Sequence, residues 1–110
     1  MTDSLKISLA QLNPVVGDIE GNVAKIRAAR LAAADSGADL VIGTELCITG
    51  YPPEDLILKN AFVRAAMAAV EALAAETADG GPGLIVGAPW FDGEDSRYNA
   101  AVVLDDGKVQ

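Results

Sequence analysis

The sequence predicts an α/β fold built on a mixed β-sheet, and three observations carry that prediction. Short apolar segments of strand character alternate with longer helical ones, glycine or proline closes almost every segment, and the last strands are joined by a tight turn. Strand–helix–strand–helix–strand order brings the first three strands together in parallel through right-handed crossovers, and a hairpin then adds antiparallel neighbours.

The elements follow in order. Leu5, Ile7 and Leu9 alternate with Lys6 and Ser8, so Leu5 to Leu12 reads as a strand that Asn13-Pro14 breaks. After the loop at Gly17-Asp18, Asn22 to Ser36 reads as a helix with Val23, Ile26, Ala29 and Ala33 on one stripe and Arg30 at its border. Gly37 supplies the left-handed stop. Leu40 to Gly43 is a brief apolar run suited to a buried parallel strand. Leu46 to Asp55 is irregular, because Gly50 and Pro52-Pro53 forbid a long helix, and Pro53 to Leu56 can open one short helical turn. A loop of that length is a candidate for function. Asn60, read as an N-cap, opens the clearest helix, which runs to about Ala78 with Phe62, Val63, Ala66, Val70, Leu73 and Ala74 on one face. Gly80 to Gly83 ends it. Leu84 to Ala88 is a third strand, Asp92 to Arg97 a polar loop, Tyr98 to Leu104 a fourth strand, and Asp105 to Lys108 a hairpin turn leading Val109 into a fifth.

The 110 residues are 51% hydrophobic and 22% charged, enough to fill a core, so disorder is the wrong class. Sixteen acidic against eight basic residues give a net charge of −8, which repels phosphate backbones and anionic lipid; neither nucleic acid nor membrane is an expected partner. With no histidine, the chain can build neither Ser-His-Asp nor Cys-His catalysis, nor a His-ligated metal site; no metal site is expected. Cys47 is the single cysteine and can form no internal disulfide. Met1 to Lys6 carries no apolar signal segment, so a cytoplasmic location is expected. The chain stops at Gln110, one or two residues into a strand, and is read as a single partial domain over residues 1–110.

Glu45 is the leading candidate for chemistry. It follows a buried strand at the sheet edge where open α/β folds place ligands, and a carboxylate carried into a partly dry crevice can serve as a general base. The alternative is a solvated loop acid or a helix-capping group. Cys47 has no neighbouring cation to lower its pKa and reads as a small buried hydrophobe. Gly80 to Gly83 lies between a helix and a strand, the reverse of a phosphate-binding loop, and is a turn. Asp105-Asp106 is explained by hairpin chemistry. Tyr51 and Trp90, each placed in a loop at a strand's C-terminal end, could line a pocket, with plain packing the alternative.

Gly43-Thr44-Glu45-Leu46-Cys47-Ile48-Thr49-Gly50-Tyr51 resembles the glutamate motif of the nitrilase, or carbon–nitrogen hydrolase, superfamily. Ala10 to Pro14 with Gly17, Asp18 and Asn22, then Gly37 to Leu40, then Tyr98-Asn99-Ala100 agree with it in order and spacing. The continuation Tyr51 to Leu56 is similar to the N-terminal glutamine-hydrolysing domains of bacterial NAD synthetases. The resemblance implies the N-terminal part of an α-β-β-α sandwich and a Glu-Lys-Cys triad in which Glu45 is the glutamate, with Tyr51 a candidate for substrate binding. The lysine and cysteine motifs of the triad do not occur in this chain, and neither Lys108 nor Cys47 inherits those roles. It further implies glutamine as the substrate, no cofactor for this domain, ATP and Mg in a separate synthetase domain, and a homo-oligomeric parent. The rival readings are part of a stand-alone amidohydrolase and a non-catalytic interaction or folding module.

Overall fold

The computed structural model describes residues 4–93 and 96–110. It is an α/β unit of one helix layer on one five-stranded sheet. The strands are β1 (Ile7–Leu9), β2 (Leu40–Ile42), β3 (Gly83–Asp92), β4 (Ser96–Asp105) and β5 (Lys108–Val109), ordered β1-β2-β3-β4-β5 across the sheet. β1, β2 and β3 are parallel, and β3–β4 and β4–β5 are antiparallel. The helices are α1 (Ile19–Asp35) and α2 (Asn60–Glu76). The slab is 19 Å in its thinnest dimension, as one helix layer on one sheet should be. Half of the expected sandwich is therefore present.

Alternation along the strands decides the two faces of the sheet. Val41, Leu84, Val86, Val102 and Leu104 point to one side and form a single core with Val23, Ile26 and Ala33 of α1 and Ala66, Val70, Leu73 and Ala74 of α2. Residues of the opposite parity share the other side: the register aligns Leu9, Ile42, Ile85 and Val103 across β1 to β4. Among the described residues no helix covers that face, and Ile7 is 45%, Leu9 73% and Val103 39% exposed.

Several elements depart from the sequence reading. β1 is shorter than Leu5 to Leu12, because only Ile7–Leu9 finds β2 as a ladder partner. α1 starts three residues earlier than Asn22, at Ile19, with Asp18 as its cap: Asp18 Oδ1 accepts from Gly21 N at 3.0 Å. Asn60 is not the N-cap of α2. Lys59 holds that position without a side-chain bond, and Asn60 Oδ1 instead accepts from Arg97. β3 and β4 pair from Asp92↔Ser96 back to Leu84↔Leu104, so both ends of the predicted 92–97 loop are strand and Trp90 lies within β3, packed against the core. Glu94 and Asp95 of that loop lie outside the described residues. The short turn after Pro53 forms as a single 3₁₀ segment, Glu54–Leu58. The final hairpin turns at Asp106 and Gly107, both left-handed at φ 51° and 79°, which is the turn that fits the twist of the flanking strands.

Arg30 explains why a cation can sit on the stripe of α1. Its side chain is buried; Nε donates to Pro82 O at 2.8 Å and the guanidinium spans both carboxylate oxygens of Asp79 at 2.7 and 3.0 Å. That fork ties α1 to the turn before β3. Arg30 and the Gly81 N–H lower the Asp79 pKa from 3.8 to about 2. The folded state therefore favours the charged carboxylate, so the stabilisation is complete above pH 3.8 and is lost as pH falls through about 2. Acid unfolding followed by circular dichroism should show this window, and Asp79→Asn should remove it.

Candidate active site

The site is built where β2 ends. Gly43 N still donates to Ile85 O at 2.9 Å, and the chain then turns at Thr44, Glu45 and Leu46 instead of continuing the strand. Leu46 adopts φ +49°, a left-handed backbone that a branched side chain seldom takes, so the surroundings must hold the turn in place.

Three sets of contacts hold it. Gly87 of β3 lies directly beneath: a Cβ built there would come within 2.3 Å of Leu46 N and 2.7 Å of Thr44 O. The Gly87 carbonyl accepts from Ile48 N at 3.1 Å and from the Cys47 thiol at 3.9 Å. Asn22, 1% exposed, forms the second set. Its Oδ1 accepts from Val15 N at 2.8 Å, and its Nδ2 donates to Val15 O at 2.9 Å and Ile48 O at 3.0 Å. In the third, Thr49 O accepts from Gly17 N at 2.9 Å, and Gly50 packs so closely on Val16 that a Cβ would lie 2.6 Å from Val16 Cα. Leu46, Cys47, Ile48 and Thr49 are consequently buried although they form no regular element.

Glu45 itself is exposed. It lines an open pocket of about 290 Å³ on the uncovered sheet face, with Ile42, Ile85, Gly87, Asn99 and Ala101 among its neighbours. The location at the C-terminal end of a parallel strand is the one expected. The partly dry crevice is not found, because the sheet face beside Glu45 has no cover. In the sequence Asn99 stands out only as part of a motif; β4 pairs Asn99 with Pro89 and brings it to the same pocket. Alternation along β4 could have placed Asn99 on that face, but the pairing register was needed to set it near Glu45.

Tyr51 stands 61% exposed on the following loop and does not line this pocket. Cys47 is fully buried, and burial pushes its thiol pKa up, as suits a packing residue rather than a nucleophile. Cys47→Ala should cost on the order of 1 kcal/mol in denaturant unfolding, and native-state alkylation of the thiol should be slow. Lys108 lies at the start of β5 in the terminal hairpin, away from the residues lining the Glu45 pocket. Among the described residues, no three or more His, Cys, Asp or Glu side chains form a metal-binding group, and no helix is long and apolar enough to cross a membrane.

The geometry is that of an exposed glutamate on a braced turn at the C-terminal end of a parallel strand, beside an open apolar sheet face. The sequence pattern of the carbon–nitrogen hydrolase family matches residues 6–109, and the chain belongs to that family. It is 52% identical over 109 residues to the glutamine-dependent NAD(+) synthetase of Rhodobacter capsulatus, covering 99% of this chain and 19% of that protein. The crystal structure of a glutamine-dependent NAD(+) synthetase from Cytophaga hutchinsonii superposes with a TM-score of 0.89 at 29% identity, over 98% of this chain and 18% of that one. A Glu-to-Gln mutant of the Nesterenkonia sp. AN1 amidase, solved after Michael addition of acrylamide at its active-site cysteine, gives 0.80 at 27% identity over 96% of this chain and 42% of that one. The chain spans about a fifth of the length of the curated relatives it matches.

Proposed function

We propose that the chain is the N-terminal part of the glutamine amidase domain of a glutamine-dependent NAD synthetase, and that Glu45 is its general acid–base residue. The observation that carries the reading is the placement of Glu45: a carboxylate on a rigidly held turn, facing a sheet surface that a second layer would cover. The similarity to NAD synthetases along nearly the whole chain supports the substrate assignment.

An amide is a poor electrophile with a poor leaving group, and the Glu-Lys-Cys triad that the family resemblance implies splits its hydrolysis in two through a thiol that forms an acyl-enzyme. Glu45 takes the thiol proton as sulfur attacks the glutamine amide carbon. It returns that proton to the departing nitrogen as ammonia leaves, then deprotonates the water that releases glutamate. The thiol and the lysine ammonium that steadies the oxyanion come from segments outside this chain. Cover from those segments would also exclude water from the Glu45 pocket.

In the whole enzyme, the ammonia would pass to an ATP-activated nicotinate adenine dinucleotide, with ATP and Mg held by the synthetase domain and no cofactor needed by this one. The setting is the cytoplasm, the parent is a homo-oligomer, and Tyr51 contributes to glutamine binding once the domain is complete. The test is ammonia release by the full-length protein that carries this chain. Saturable hydrolysis of glutamine, coupled to NAD formation, is the expected result. Hydrolysis of simple amides with glutamine left untouched would replace this reading with that of a stand-alone amidase.

A further inference from the structure

We infer that Gly87 and Asn22 are positioning residues for Glu45, Gly87 by leaving no side chain under the turn and Asn22 by anchoring its exit. The inference rests on the reading of Glu45 as the general acid–base group. Gly87 is not needed for a special backbone angle, since it sits in the regular β3–β4 ladder opposite Ala101. Its requirement is spatial. The three atoms nearest to a methyl group there are all backbone, Leu46 N at 2.3 Å, Thr44 O at 2.7 Å and Glu45 C at 3.0 Å, and no side-chain rotation can relieve that overlap. Restoring ordinary contact moves the turn that carries Glu45 by about 1 Å away from the sheet.

Asn22 works from the other side. One buried amide satisfies the N–H and C=O of Val15 and the C=O of Ile48, three backbone groups from two loops that share no ladder. Ile48 is also the residue whose N–H reaches Gly87 O, so the strand and the clamp hold the two peptide units that flank one residue. The left-handed Leu46 lies just before that grip and passes the constraint to Glu45. Neither offers the pocket a reactive group, since Gly87 has no side chain and Asn22 does not line it; each sets where the carboxylate stands.

The experiment uses the full-length enzyme and reads glutamine-driven and ammonia-driven product formation side by side. Gly87→Ala should lower glutamine kcat by about tenfold or more with KM changed by less than about twofold, since a misplacement of about 1 Å weakens proton transfer more than substrate binding. The ammonia-driven rate, which skips amide cleavage, should be unchanged. Asn22→Asp keeps the acceptor for Val15 N but turns both donations into repulsion, and should reproduce the same split. Gly83→Ala, at the far end of β3 against Leu104 O at 3.3 Å, is the control and should leave glutamine kcat intact. If Gly87→Ala does not fold, Asn22→Asp decides. Unchanged glutamine kcat in the folded variants, or equal losses in the ammonia-driven rate or in Gly83→Ala, overturns the inference. Full turnover in Glu45→Gln would instead remove the functional reading beneath it.

Discussion

In the full-length protein that carries this chain, Glu45→Gln should lower ammonia release from glutamine by about 10²-fold or more, the usual size of a general acid–base contribution. The side chain keeps its length and shape and loses only the ability to take up and return a proton. Stability should hardly change. Glu45 is exposed, and among the described residues its carboxylate has no hydrogen-bond partner, so the substitution breaks no buried contact. The turn is fixed by Gly87, Asn22 and the buried run from Leu46 to Thr49, none of which depends on the Glu45 charge. Steady-state ammonia release and thermal unfolding on the same preparation would check both halves. A large loss of stability would show that Glu45 is a structural residue.

The 110-residue chain alone should release no ammonia from glutamine at any pH. On the proposed reading it holds the base but no competent nucleophile: its one thiol, Cys47, is fully buried with a raised pKa, and Lys108 sits in the terminal hairpin. Triad members act as a unit, so a lone member gives essentially no covalent catalysis. The uncovered sheet face, with Leu9 73% exposed, should also make the isolated chain self-associate in sedimentation experiments. Saturable turnover that disappears on changing Lys108 or Cys47 would mean that a different active site is built here.

The fold was legible where the pattern is local. Val63, Ala66, Val70, Leu73 and Ala74 announce the buried face of α2 by spacing alone, and Asp106-Gly107 announces a turn that needs two left-handed residues. What the sequence hid is set by partners distant along the chain. Ile7–Leu9 stops being strand where β2 stops, β3 runs on through Trp90 because β4 is there to pair with it, and Asn60 leaves its capping role to bond Arg97. Glu45 stands out as a candidate by its place after a strand and its surrounding motif. Its supports do not, because a glycine that must lack a Cβ looks like any other glycine until the turn is laid over it. Asn22 fell on the predicted helix, where asparagine has no local reason to be buried; its reason is two loops brought together only by the fold.

The proposed role of Glu45 is to move protons in amide cleavage. It is tested most directly by the ratio of glutamine-driven to ammonia-driven NAD formation in full-length Glu45→Gln against the unaltered enzyme. The ammonia-driven rate should stay the same while the glutamine-driven rate falls about 10²-fold or more, so the ratio collapses. A ratio that stays near its original value, whether both rates survive or both fall together, would contradict it.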